Sequence, residues 1–467
     1  MGTFYIEQFG CRATQADGAA IERQLREQGS VMAADAASAD VVVLNTCTVT
    51  AAADTQARDA IRKIHAANPS TRIIVTGCYA QRAPEELAAL AGVSVVVGNS
   101  HKPQIPKLLH SIVRTQAQAS ALSIVGVERD SRSSQDDLPA RILTGDIFHL
   151  TEVLVAPVLG GEGNHTRPTL KIQDGCNSRC AFCVIPFVRG KSRSLPLKTV
   201  LSELRRLTDS GFREIVLSGI NLGTYGRDLF PQVEFLDLLE RILGETPVER
   251  LRISSIEPLD VTQDLIRLFA SSDRIAPHFH MPLQSASDRM LAAMHRWYRA
   301  EHYARRVELI HEHLPNAALG ADVIAGFPGE TEADHAASLD FIKSRPFTYL
   351  HVFSYSSRPG TKAAALAGQL PGQTIKQRAR ELRALADSKS TAFRQSQVGR
   401  TLRVLTLRRD PEDICHTPAL SENYLTVRLP VSVPPNHFLE ATVSHVGDNR
   451  VFATPLESPA LSLSSDS

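Results

Sequence analysis

Aromatic residues are scarce in this 467-residue chain, at 6%, and Trp297 is its one tryptophan. The core must therefore be built from aliphatic side chains, and a hydrophobic fraction of 43% supplies enough of them. A one-sided charge is also missing. Lys and Arg number 51 against 50 acids, a net charge of +1, so global charge predicts no partner and basic patches must be sought locally. No run of eighteen apolar residues occurs, which excludes a membrane-spanning helix. The start MGTFYIEQFGC has no basic stretch followed by an apolar one, so no secretory signal is expected. Met1-Gly2 hints at myristoylation, but Phe4-Tyr5-Ile6 reads as a buried strand and argues against it. Seven cysteines without a signal point to a reducing, cytoplasmic setting, where thiols serve metals rather than disulfides. The length suits two or three domains.

What is present is concentrated at Cys176, Cys180 and Cys183, in the run DGCNSRCAFCVIPFVRG. Cys-x3-Cys-x2-Cys puts three thiolates on one short loop. Soft ligands of this kind favour iron–sulfur clusters or zinc. A structural zinc site needs a fourth ligand nearby, and the next Cys or His is His278. A cluster with one iron left free is the reading that the vacancy favours.

The spacing, with Phe182 just before the last Cys, resembles the signature of the radical S-adenosylmethionine (SAM) superfamily. The surrounding KIQDGCNSRCAFCVIPFVRGKSRS resembles more specifically the methylthiotransferases, and the likeness covers nearly the whole chain.

Residues 1–125 alternate apolar strands with amphipathic helices: TFYIEQFGC, ADVVVLNTC, TRIIVTGC and VSVVVGN are strands, with helices between them. This predicts a Rossmann-like parallel α/β domain. APEELAALAG reads as one helix. Cys11, Cys47 and Cys78 each directly follow a strand, and in a parallel sheet the carboxyl ends of strands share one edge. The three are expected to converge. Buried structural cysteines and a second metal site both answer to that pattern. The resemblance implies an auxiliary 4Fe–4S cluster on these three. The family usually has Asn three residues after the first Cys, where this chain has Thr14, which bears on the hydrogen bonding around Cys11.

Residues 126–166 are polar and Gly-punctuated and read as a linker with some strand content. Residues 167–394 repeat strand and helix, with strands in TLKIQDG, REIVLSGINLG, VERLRISSIEP, APHFHMPLQS, NAALGADVIAGFPGE and TYLHVFSYSSRPGT. Six βα units suit a partial (β/α)6 barrel with its chemistry at the carboxyl ends of the strands, as radical SAM proteins similarly use. Residues 395–457 read as short strands closing a small antiparallel β-barrel that resembles the OB-like TRAM module. Residues 458–467 are expected to be disordered, and Cys415 has no partner at metal spacing.

SGIN, RISSIEP, MPLQSASD and ADVIAGFPGE stand at strand ends, where turn and site readings weigh evenly one by one. By resemblance they hold SAM: Gly326, Pro328, Gly329 and Glu330 near the adenine, Ser254 and Glu257 near the ribose and methionine. Cys176, Cys180 and Cys183 would hold the cluster that SAM completes.

Between Lys376 and Arg409 stand ten Lys or Arg against two acids, Glu381 and Asp387. A solvated helix is one reading. Joined to a TRAM-like barrel, a phosphate track is the stronger one, through Lys376, Arg378, Arg380, Arg383, Arg400 and Arg403. Arg179, Arg189, Lys191 and Arg193 either extend that track or stabilise an anionic cluster. HRWYRAEHY at 295–303 holds the single Trp, as helix packing or as a stacking platform for an unstacked base. His278 and His280 alternate on a strand, so at most one is expected to face inward, and neither reads as a zinc ligand.

The resemblance implies two 4Fe–4S clusters, SAM, and insertion of a methylthio group through a 5′-deoxyadenosyl radical. The cited segments most resemble the branch acting on tRNA N6-threonylcarbamoyladenosine beside the anticodon. N6-isopentenyladenosine, a ribosomal-protein aspartate, and a non-catalytic iron–sulfur RNA-binding protein are the alternatives. Expected partners are tRNA, an electron donor such as flavodoxin or ferredoxin, and a sulfur donor of unspecified identity, with no membrane.

Overall fold

A computed structural model describes residues 2–112, 140–151, 153–154, 157–158, 166–409, 413 and 415–456. The expected disordered tail lies outside these, as does most of the expected linker. The chain divides into two compact units. The first gathers Met1–Val158, Leu170–Ser194 and Ser356–Ala364. The second gathers Leu159–Thr169, Leu195–Tyr355 and Ala365–Ser467. The Cys176–Cys183 loop thus packs as part of the unit that holds the other three site cysteines.

In the first unit, β1 (Thr3–Gln8), β2 (Val31–Met32), β3 (Val41–Thr46), β4 (Arg72–Gly77), β5 (Val93–Gly98) and β6 (Arg141–Leu143) form one parallel sheet of order β2-β1-β3-β4-β5-β6. Every residue of β3 is buried, as a strand covered on both faces requires. Helices α1 (Arg12–Glu27) and α2 (Ala51–Ala67) follow β1 and β3. Thr50 caps α2 by accepting from Ala53 N at 3.2 Å. The strand content expected in the linker is β6, which extends the sheet. One detail departs from the sequence reading. The single helix expected after β4 is two, α3 (Cys78–Arg82) and α4 (Pro84–Ala88), because Ala83, at φ −144° and ψ 67°, leaves the helical conformation and Pro84 starts a new helix. Strand β7 (Thr169–Lys171) leads to β8 (Gln173–Asp174), which pairs antiparallel with β9 (Arg193–Ser194), so the cysteine loop is closed at its base.

The second unit carries parallel strands β10 (Glu214–Ser218), β11 (Arg250–Ile253), β12 (His278–His280), β13 (Ala318–Ala325) and β14 (Tyr349–Ser354), with β10 beside β11 and β12-β13-β14 in sequence order. Parallel bridges Leu251↔Ile275 and Ser255↔His280 join the two groups. Helices connect the strands, and Thr331 and Asp334 form a capping box at the start of the helix Glu332–Ser344. The long helix α5 (Gly372–Ser396) precedes a closed barrel of β15 (Thr401–Thr406), β16 (Thr417–Ser421), β17 (Thr426–Leu429), β18 (Phe438–Gly447) and β19 (Arg450–Pro455). The barrel is not wholly antiparallel: β17 and β19 run parallel, the pairing that closes it.

Within this unit Glu214 anchors the barrel to the parallel strands. Its carboxylate accepts from Arg250 Nε at 2.6 Å, Arg252 Nε at 2.8 Å and Arg167 Nη1 at 3.1 Å. Arg250 also donates to Arg403 O (2.8 Å) and Leu420 O (2.9 Å), and Arg252 to Ser421 O and Glu422 O (both 3.0 Å). Burial raises the Glu214 pKa, but Arg252, Arg250 and Arg167 outweigh it and hold the carboxyl low. Glu214→Gln leaves buried guanidiniums without their counter-charge and is expected to cost about 3 to 5 kcal/mol of stability, read as a lower thermal midpoint. The wild-type contribution is whole above the ordinary carboxyl pKa. It is lost only as pH falls toward the depressed folded value, so the gap to the variant narrows in acid.

Candidate active site

In the first sheet the strand order reverses between β1 and β3, and ligands of such sheets bind at the carboxyl ends beside that point. Cys11 stands three residues beyond β1, Cys47 directly after β3, and Cys78 directly after β4 as the first residue of α3. A Cβ built on Gly10, whose φ is +102°, falls 2.8 Å from Cys47 Sγ, so the Cys11 loop lies against Cys47 and only glycine allows that approach. Burial pushes the Cys47 thiol up to about 11, with the charges of Cys78 and Cys11 adding to the effect. Burial also raises Cys78, against the pull of Arg189 and Lys102. Cys11 is exposed. Thr14 Oγ1 lies 3.6 Å from Cys11 Sγ, and Asn99 Nδ2 lies 3.7 Å from Cys78 Sγ.

Beside these thiols lies a buried charge network. Arg189 Nη1 donates to Asp174 Oδ1 at 2.9 Å, and its Nη2 donates to Asp17 Oδ2 at 3.0 Å and reaches Thr14 Oγ1 at 3.5 Å. Lys171 Nζ bonds Asp17 and donates to Asp174 at 2.8 Å, and Lys102 Nζ donates to Asp17 at 2.8 Å. Burial raises both carboxyls, but Lys102, Lys171 and Arg189 hold Asp17 well below its ordinary value, and Arg189 and Lys171 do the same for Asp174. With Arg193, whose Nη2 lies 3.8 Å from Asp174 Oδ2, four cations face two carboxylates, and the excess positive charge stands next to three thiols. That surrounding fits a set of thiolates holding an anionic cluster.

The second triplet occupies the loop between β8 and the helix Ile185–Arg189. Cys176, Cys180 and Cys183 are all partly exposed. Ser178 N donates to Cys176 Sγ at 3.4 Å, Cys176 N to Gly190 O at 3.1 Å, and Cys183 N to Cys180 O at 3.1 Å. Ala363 N donates to Ala181 O at 2.8 Å, so the segment Ser356–Ala364 braces the loop. Of the cations around it, Arg189 and Arg193 are buried, which removes them from any surface track. Arg179 and Lys191 stay exposed.

In the second unit, Ser254 follows β11, and its buried Oγ has no partner among the described residues, a hydroxyl left for a bound molecule. Glu257 pairs with Arg296. Burial raises its pKa and Arg296 opposes the rise. Gly326 has φ +79°, and a Cβ there would meet Ile375 at 2.6 Å. Its N donates to Glu330 Oε2 at 2.8 Å, which also accepts from Arg378 Nη1 at 2.8 Å. The Glu330 carboxylate is therefore engaged inside its own turn. Gly329 N bonds Gly368 O at 2.8 Å, and Pro328 completes the turn between them.

The expected RNA track needs a correction. Arg378 is buried between Glu330 and Glu332 and offers nothing to a phosphate. Arg403 lies over Phe438 at 4.4 Å and within 3.8 Å of Glu249, and exposed Arg400 bonds Asn316. Lys376, Arg380 and Arg383 lie exposed on α5. His278 and His280 do not split between faces either. Residues two apart on a strand share a face, and both rings stack against Tyr349. Sequence reasoning missed Asp322, which lies 3.2 Å from both His280 Nε2 and His351 Nδ1. It also missed Arg358, which donates to Thr48 Oγ1 at 2.7 Å and pairs with Asp54. The Arg-Pro-Gly-Thr turn was its one signal.

Two family profiles match the chain: Uncharacterized protein family UPF0004 over residues 3–98 and the Radical SAM superfamily over 170–342. A relative from Aquifex aeolicus, Threonylcarbamoyladenosine tRNA methylthiotransferase MtaB, is 36% identical across 91% of this chain and 95% of its own. One of the same name from Bacillus subtilis is 36% identical across 87% and 85%. A tRNA-2-methylthio-N(6)-dimethylallyladenosine synthase from Sphingopyxis alaskensis is 34% identical across 97% and 98%. Among solved structures, the radical S-adenosylmethionine methyltransferase TsrM from Kitasatospora setae superposes with a TM-score of 0.55 at 15% identity, covering 78% of this chain and 76% of its own. That likeness shows a shared fold.

Metal-free protein labelled with iodoacetamide near pH 8 is expected to react at Cys11 well before Cys47 or Cys78, since a thiol pushed up to about 11 is about one part in a thousand thiolate there. Peptide mass mapping over time checks this, and equal rates would contradict the buried geometry.

Proposed function

We propose that this chain, which belongs to the methylthiotransferase family of radical SAM proteins, adds a methylthio group at C2 of N6-threonylcarbamoyladenosine next to the tRNA anticodon. One observation carries the reading: two cysteine triplets, each one ligand short of a closed site, stand in a single compact unit. Cys176, Cys180 and Cys183 would hold one 4Fe–4S cluster and Cys11, Cys47 and Cys78 a second. When bound, these clusters supply the electron that cleaves SAM and an iron able to carry the sulfur to be transferred.

The chain's own groups do the rest. Ser254 Oγ would bond SAM, and by the family resemblance the Gly326–Glu330 turn, locked by Arg378, would hold the adenine. The carboxylate of Glu257, held by Arg296, would serve the ribose and methionine. Lys102, Lys171 and Arg189 keep the Cys11, Cys47 and Cys78 thiols in a cationic surrounding. Lys376, Arg380, Arg383 and Arg400 are the phosphate contacts, on α5 and the start of the small barrel. The setting is the cytoplasm, with a flavodoxin or ferredoxin as electron donor. Among the described residues no helix is long and apolar enough to cross a membrane.

Mass spectrometry of tRNA nucleosides from cells with and without the gene tests the substrate. Loss of the 2-methylthio form of N6-threonylcarbamoyladenosine is expected. Loss of the methylthio form of N6-isopentenyladenosine instead would transfer the assignment to that base, which the Sphingopyxis relative's name keeps in view.

A further inference from the structure

Trp297 is 80% exposed, although it is the chain's single tryptophan and one of its largest apolar side chains. It is not on a loose loop. The side chains on either side, Arg296 at 6% exposure and Tyr298 buried, are tied down. Arg296 forms its ion pair with Glu257, just beyond the carboxyl end of β11. Tyr298, 3% exposed, places its Oη 2.7 Å from Pro282 O and 2.9 Å from Leu283 O, just beyond the carboxyl end of β12. The Arg296 guanidinium also lies 5.0 Å from the Tyr298 ring. His295 turns the chain with φ +57°, a conformation a non-glycine residue adopts only under constraint, and its N bonds Ala292 O at 3.0 Å. Ala300 N ties the other end of the turn, donating to Asp288 Oδ1 at 2.8 Å. Two anchored neighbours and a fixed turn therefore hold the indole in water on the rim where a barrel of this kind places its chemistry. The sequence left packing and stacking open for this Trp, and its exposure removes packing.

From this geometry we infer that Trp297 is a stacking platform for an unpaired base of the tRNA anticodon loop, beside the adenosine that enters the site. The inference rests on the tRNA reading above. A base drawn out of its stack for chemistry leaves its neighbour with a bare π-face, and an indole already held rigid covers it at little entropic cost. Arg299, exposed two residues on, would supply a cation for the adjoining phosphate. Trp297 positions substrate and does not take part in bond making.

Being the single Trp, it reports on itself. Cluster-loaded protein is titrated with an anticodon stem–loop RNA, while anisotropy of a labelled copy of the same RNA reports binding independently. A saturable fall in indole fluorescence that tracks the anisotropy is expected, and a fully paired duplex should give no such fall. Trp297→Ala should weaken loop binding roughly 5- to 150-fold, the worth of one stacked base, with Trp297→Phe restoring most of it. SAM cleavage without RNA should be the same in all three proteins, which separates positioning from misfolding. RNA that binds with unchanged fluorescence, or with equal affinity to the Ala variant, overturns the stacking role alone. RNA that fails to bind the wild-type protein overturns the tRNA reading and the stacking role together. A fluorescence change produced by reduced flavodoxin and not by RNA would assign the indole to a protein partner and overturn the inference.

Discussion

Everything in the first unit depends on a guanidinium that has no access to water. Arg189 joins Asp174, two residues before the Cys176 loop, to Asp17, six residues after Cys11 on the next helix. Lys171 bridges the same two carboxylates and Lys102 adds a third cation, all at a few per cent exposure. Charges buried this deeply are stable only through one another, since each would otherwise lose its hydration uncompensated. The network therefore works as an all-or-none fastening between the two loops that carry the cysteine triplets. Arg193, also buried against Asp174, makes a fourth cation, and the excess positive charge lies beside the N-terminal thiols, where an anionic cluster would meet it.

Strand and helix alternation made the N-terminal sheet readable, because a strand buried on both faces such as Val41–Thr46 has no polar alternation to obscure it. The convergence of Cys11, Cys47 and Cys78 was readable for the same reason: parallel strands put their carboxyl ends on one edge. The network was not. Asp17 and Lys171 are separated by 154 positions, and nothing in the cysteine-loop run that Lys171 opens points to Asp17. Some strand content was legible in the linker stretch, but not which three residues of it join the sheet as β6.

Elsewhere the errors share one cause, that a charge in sequence says nothing about what it faces. Arg378 sits in the most basic stretch of the chain and yet is sealed against Glu330 and Glu332, fixing the turn that begins at Gly326. Arg250 and Arg252, unremarked within a strand segment, hold the carbonyls of the small barrel. His278 and His280 were expected to diverge and instead share one aromatic face with Tyr349. Trp297 is the opposite case, a residue whose composition reads as core and whose neighbours hold it out.

The central claim is that one compact unit carries two separate cluster sites with separate tasks. Iron analysis with Mössbauer spectroscopy of anaerobically loaded protein tests it most directly. The account predicts about eight irons per chain, falling to about four when Cys11, Cys47 and Cys78 are all replaced by Ala, with formation of 5′-deoxyadenosine from SAM retained. About four irons in the wild-type protein, or loss of SAM cleavage along with the second cluster, would contradict it.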